Sequence, residues 1–363
     1  MKRLLLIFAL LSLPAWAQVA VDNTGKSAGG TNVSSGTGLT VTSFAVGSGS
    51  NRLLLCGVSS YESTNRTWTL TFNTNQPLAL FDGNSVAEGG GTRWVRLFWL
   101  AAPANATASV VAKPNGSVGE AVVGCTSWTG VDQTTPLGGT QKSQGVTSGA
   151  NQVKSVTVSS ATGNVVHDAI SVDGPASGTG VTSGQTSRWA QVAASDTTTG
   201  AGQSAAGAAS VTMGWTIAGN GFTWAQIGVE IRQPAPPSVA TPTYDNDAGI
   251  YTFPVTVTIS DATSGATIKY CTDTSNACTP STTYSTPVSI SVDRTYLRSQ
   301  ASKSGMADSS IKSALYMSAS TLPGYARNGN LCPNTLSDEP TSFKTYSCPL
   351  RTRLRRATPS SSP

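Results

Sequence analysis

Histidine is almost missing from this sequence. Its 363 residues hold one, His167. Charge is scarce too: Asp, Glu, Lys and Arg make up 11%, and the formal net charge is only +5. These shortages exclude function classes. A Ser-His-Asp triad has a single possible base. No CxxC pair stands beside that histidine, so the ligand spacings of a zinc site are missing. Much of the basic excess lies in Arg351-Thr352-Arg353-Leu354-Arg355-Arg356, and no basic stripe with interleaved aromatics appears elsewhere, which argues against a nucleic-acid partner. Helical periodicity is nearly absent. No apolar run reaches the roughly 20 residues that span a bilayer.

The longest apolar run is Leu4 to Leu13, preceded by Lys2 and Arg3 and followed by Pro14 and Ala15-Trp16-Ala17. That is the pattern of a secretory signal, residues 1–17, cleaved before Gln18. No cysteine follows it, which argues against a lipid anchor. The expectation is an exported protein, extracellular, cell-surface or periplasmic, with no membrane span after cleavage.

What the sequence does have is short strands. Thr67-Trp68-Thr69-Leu70-Thr71-Phe72 alternates strictly and reads as a half-buried strand. Leu53–Val58, Trp94–Leu100 and Ala121–Trp128 are apolar on both faces and suit interior strands. Further strands are read at 153–158, 164–170, 211–217 and 225–231. Clusters of Gly, Ser, Thr and Asn between them read as turns. The predicted architecture is all-β. Residues 18–232 form a jelly-roll-like β-sandwich of roughly ten strands. Gln233-Pro234-Ala235-Pro236-Pro237 opens a Pro-rich linker, 233–239. A smaller immunoglobulin-like β-sandwich follows at 240–317, and residues 318–363 lack periodicity.

Six cysteines in an exported chain suggest disulfides. Of fifteen connectivities, spacing favours Cys56 with Cys125, Cys271 with Cys278, and Cys332 with Cys348. Two buried free thiols are the alternative for the first pair.

After the linker the pattern sharpens. Gly249-Ile250-Tyr251-Thr252-Phe253-Pro254, then Gly265-Ala266-Thr267-Ile268-Lys269-Tyr270 with Asp273 close behind, then Tyr284-Ser285-Thr286-Pro287-Val288 mark out six or seven short strands. Residues 240–317 resemble the chitobiase/β-hexosaminidase C-terminal domain, the sandwich also appended to some fucosidases. One departure is that Cys271 and Cys278 frame the turn after the Tyr270 strand, where many members carry an uninterrupted Thr-x-Asp-Gly. The resemblance implies an accessory sandwich beside a catalytic or binding domain, with no catalytic residues to carry over.

No catalytic, cofactor-binding or metal residue is assigned. His167 and Asp168 are neighbours in a predicted strand, so their side chains point to opposite faces and Asp168 cannot orient the imidazole. Asp273 reads as a turn residue. Among eighteen acids, Glu88 and Glu120 are the two that stand out as groove candidates. For ligand contact the candidates are Trp189, set in a polar stretch, and Tyr251 and Tyr270, each weighed against a core role. The leading reading is a non-catalytic binding protein for a carbohydrate or cell-envelope polymer. The alternatives are an adhesin-type structural protein with spacer sandwiches and a glycoside hydrolase with its site on the first domain. Oligomeric state is left open.

Overall fold

The computed structural model describes residues 18–81, 85–86, 92–174, 179–194 and 197–319. The signal segment, Glu88, Cys332 and Cys348 lie outside them. The chain divides into two compact units, one ending at Ala235 and the other starting at Pro236. The described residues contain no α-helix. None of their helices is long and apolar enough to cross a membrane.

Among the described residues, the first unit has seventeen strands. Nine come first: β1 (Ala20–Val33), β2 (Leu39–Val46), β3 (Leu53–Tyr61), β4 (Trp68–Phe72), β5 (Gln76–Leu80), β6 (Ser85–Val86), β7 (Arg93–Ala101), β8 (Ala106–Pro114) and β9 (Val118–Thr129). They form one sheet in the order β1-β9-β3-β7-β5-β4-β8-β2, with β6 beside β7. β5 pairs with β4 through Leu78 and with β7 through Ala79 and Leu80, so the sheet folds back on itself there. The two halves enclose a core of Leu54, Cys56 and Val58 against Phe44, Leu70, Phe72 and Val110.

Eight more strands follow: β10 (Leu137–Val146), β11 (Gln152–Val158), β12 (Val165–Asp173), β13 (Thr179–Val181), β14 (Thr186–Val192), β15 (Thr198–Ala206), β16 (Val211–Ile217) and β17 (Thr223–Ile231). They form a five-stranded sheet, β10-β17-β12-β15-β14, and a three-stranded sheet, β11-β16-β13. The five-stranded sheet lies against the other face of β9-β3-β7, where Leu53, Leu55, Val95 and Leu97 meet Ala169, Ile227 and Val229. Its far face is covered by the three-stranded sheet through Ile170, Val172, Trp215 and Ile217, and through Val166, Val156 and Met213.

The unit is therefore four layers deep, where the sequence led to the expectation of one sandwich. The physical reason lies in the strands that alternation misses. β1, β10 and β15 are rich in Gly, Ser, Thr, Ala and Gln and read as loops. In β15, Thr198 to Ser204 are all buried. Small side chains let two sheets approach closely without any apolar period. The doubly apolar runs of β3, β7 and β9 follow from the same stack, because both faces of that half-sheet are covered.

Among the described residues, the second unit has nine short strands: β18 (Thr243–Tyr244), β19 (Gly249–Tyr251), β20 (Val255–Val257), β21 (Ile259–Ser260), β22 (Thr267–Asp273), β23 (Thr282–Thr283), β24 (Val288–Ile290), β25 (Thr295–Ser302) and β26 (Lys312–Ser318). β19-β26-β25-β22-β23 make one sheet, with β19 parallel to β26; β18-β21 and β20-β24 are two-stranded. Val257, Ile259, Val288, Ile290, Leu297 and Tyr316 fill the core.

Candidate functional site

At one end of the half-sheet β9-β3-β7, charged side chains gather. β3 ends at Tyr61, and the strand register sets Arg93 opposite it on one side and Glu120 on the other. Residues directly opposite share a face. That face looks toward the five-stranded sheet, where Ser59, two residues earlier, donates its hydroxyl to the Ile170 carbonyl at 2.9 Å. There β12 ends at Asp173 and β15 begins at Thr198, its register partner. Arg93 bridges the two layers. Its Nη2 lies 2.6 Å from Asp173 Oδ1, its Nη1 donates to Thr198 Oγ1, and its guanidinium stands 4.6 Å from the Tyr61 ring centre. Thr197 Oγ1 donates to Glu120 Oε2 at 2.7 Å.

Exposure divides this cluster. Arg93 is 4% exposed and Glu120 is buried, while Tyr61 is 41% exposed and the Asp173 side chain 39%. Burial pulls the Arg93 guanidinium below its usual range, and Asp173, Glu120 and Tyr61 hold it up. A buried cation thus orients two outward groups, one apolar ring and one carboxylate. A ring beside a fixed acceptor can meet a ligand that offers an apolar face and a hydrogen-bond donor.

The opposite face of the same strand ends carries a second arginine. Arg96 is bidentate to Glu62, with both bonds at 3.0 Å, and Nη2 also reaches Asn65 Oδ1 at 2.7 Å. Trp68 Nε1, Ser60 Oγ and the Arg66 amide also donate to Glu62. Both partners are closed to solvent, at 2% and 0% side-chain exposure, so this pair is internal scaffolding. Neither arginine cluster was singled out from the sequence. The signal was present in Arg93-Trp94-Val95-Arg96: two cations in an apolar strand, an odd number apart, must face opposite layers and each needs a buried partner.

Of the described residues named from the sequence, Glu120 belongs to the first cluster, buried against Thr197; the others fall elsewhere. Trp189 is 4% exposed and belongs to the core between the half-sheet and the five-stranded sheet. That corrects its reading as an exposed ligand contact. Its indole occupies a slot lined by glycines of three strands, Gly57, Gly124 and Gly202. His167 and Asp168 do take opposite faces, and both are fully buried. His167 meets Trp128 edge-on at 5.9 Å, and burial, with Arg188 adding to it, pushes its imidazole down to about 3. Asp173, the next acid along β12, serves Arg93. Gly25-Lys26-Ser27-Ala28-Gly29 has the spacing of a nucleophile elbow. It lies inside β1 rather than on a strand-to-helix turn, and Ser27 Oγ contacts Gln191 Oε1 at 3.5 Å.

Cys56 and Cys125 are bonded, as are Cys271 and Cys278. The first bridge joins register partners on adjacent strands of one sheet, not the two sheets of a sandwich. The second closes a turn around Asp273, whose carboxylate accepts from Ser275 Oγ and from the amides of Asn276, Ala277 and Cys278. The Ala277 amide leads in holding that carboxyl below its usual range. Tyr251 and Tyr270 are half-buried in the second unit's core cluster. Tyr251 donates to the Asp247 carbonyl at 2.6 Å and leans on Tyr316, while Tyr270 meets Tyr284 edge-on. The described residues hold no group of three or more His, Cys, Asp or Glu able to bind a metal ion.

A search of curated proteins returns no match to this chain. Residues 246–313, within the second unit, match the family model of the chitobiase/β-hexosaminidase C-terminal domain, a carbohydrate-associated β-sandwich domain.

Proposed function

We propose that this chain is an exported, non-catalytic binding protein for a carbohydrate or cell-envelope polymer. The observation that carries the reading is the family match at residues 246–313. The Tyr61–Asp173 pair supports it from the first unit. Glycoside hydrolysis needs two carboxylates across the scissile bond, one able to give a proton. Here the carboxylates nearest each other in function, Asp173 and Glu120, both attend Arg93, the first through an ion pair. That arrangement favours binding over proton transfer.

The test is retention of the mature protein on insoluble polysaccharides and on isolated envelope polymer. One of them should retain it. Tyr61→Ala and Asp173→Asn should each weaken retention about tenfold, which corresponds to about 1.4 kcal/mol. Retention by none would sink the proposal in favour of a spacer role. Release of reducing sugar, abolished by Glu120→Gln, would replace it with hydrolysis.

A further inference from the structure

Asp168 sits at the centre of the layer between the five-stranded and three-stranded sheets, with no exposure. Its Oδ2 accepts three N–H bonds: from Trp215 Nε1 at 2.8 Å, Gln226 Nε2 at 2.5 Å and Gln203 Nε2 at 3.3 Å. Its Oδ1 has no hydrogen-bond partner, and neither has Oε1 of Gln203, the residue directly opposite it on β15. The two glutamines spend their remaining N–H groups on the Gly214 and Met213 carbonyls of β16. One carboxylate oxygen is thus crowded with donors while the other is buried without a partner.

Among the described residues, no cation is paired with this carboxyl. From β11 the side chains that pack over this part of β12 and β17 are Val156 and Val158. The charged residue of that strand, Lys154, stands over the Trp224 ring at 5.9 Å. On β17, Glu230 is engaged by Asn164 and Arg232. On β12 itself, His167 faces the other layer, near Arg188 of β14. A buried carboxylate without a counter-charge costs several kcal/mol, and such a group ordinarily takes up a proton instead.

We propose that Asp168 is held as a neutral carboxylic acid, its proton on the bare oxygen, and that losing this proton is a pH-sensitive latch between the two sheets. Burial pushes this carboxyl up to about 7, against the pull of its three donors. In the unfolded chain it titrates near 3.8. A folded-state value raised above the unfolded one gives stability that is complete below the lower value and is lost as pH rises through the upper one. The latch therefore holds in mild acid and slackens past neutrality.

The experiment compares the full protein with Asp168→Asn, whose amide oxygen still accepts the three N–H bonds and carries no titrating proton. The stability of the variant relative to the wild type should climb from about pH 4 to about pH 7 and then level off. At pH 6, where the exposed acids are ionised, the wild type should show the infrared carbonyl band of a protonated carboxyl, and the variant should lack it. Above neutrality, amide exchange in β11 and β16 should quicken in the wild type more than in the variant. Stability curves that run parallel at all pH values, or no such band at pH 6, would overturn the proposal. Should the variant fail to fold, the infrared titration of the wild type alone decides.

Discussion

Trp189 lies flat between two sheets because Gly57, Gly124 and Gly202 present no side chains there. A Cβ added at Gly124 would overlap the indole ring carbons, and one at Gly57 would come within 2.8 Å of ring carbon Cζ2. Gly124→Ala should cost about 1–3 kcal/mol through forced displacement. Trp189→Ala should cost about 3–5 kcal/mol through the cavity left behind. Urea unfolding of the two variants checks both. Glycines inside strand patterns were the legible sign of this slot, since a Gly in a strand often marks a close approach. The polar neighbours of Trp189 hid it, because local composition does not reveal which layer covers a strand. His167 gives a second residue-scale prediction. Its folded imidazole titrates near 3 against 6.5 in the free side chain, so its contribution is whole above 6.5 and is lost as pH falls toward 3. The loss is at most about 1.4 kcal/mol per pH unit. Within the shared window Asp168 tilts stability the other way. His167→Phe should therefore lose stability as pH rises from about 4 to about 7, while the wild type changes little there. A tilt of the same sign in wild type and variant would contradict this.

Strand pairs carry the next level of specification. Cys56 and Cys125 are opposite one another in the pairing of β3 with β9. A slip of one residue would exchange the two faces of each strand, and each faces a different core. The bridge forbids that slip. It also closes a long loop, so Cys56→Ala/Cys125→Ala should lower stability by about 2–4 kcal/mol. Thermal unfolding with and without reductant provides an independent reading of the same quantity. The Arg96–Glu62 pair fastens the Tyr61 end of β3 on the same face as the bridge. Glu62→Ala strands a buried guanidinium and should cost about 3–5 kcal/mol; replacing both partners by leucine should cost clearly less than the two single changes summed. A double-mutant cycle measures this. The pairing of Cys271 with Cys278 was legible from spacing alone. That Cys56 meets Cys125 within a sheet was not, because spacing says nothing about which strands become neighbours.

For the whole molecule, strict alternation and a proline-rich stretch made the second unit readable in outline, and the family match covers most of its length. The depth of the first unit was not readable. Its inner strands announce that both faces are covered, but two of the strands that extend the covering sheet, β10 and β15, are made mostly of small or polar residues with no apolar period. Residues 236–319 expressed alone should give a β-type circular dichroism spectrum and a single cooperative melt; a disordered spectrum would show that the division at Ala235 does not mark an independent folding unit. The half-sheet β9-β3-β7 has a further consequence for biogenesis. Its second apolar face is covered by the five-stranded sheet, whose strands lie between Leu137 and Ile231. A nascent chain that has emerged only as far as Val131 would have a finished sandwich with a greasy slab on its outside. Cells making this protein must shield that slab for the time it takes to add about 100 more residues, some 5–20 s at ordinary ribosome speeds. A gene cut at that point should yield inclusion bodies, not a smaller soluble domain.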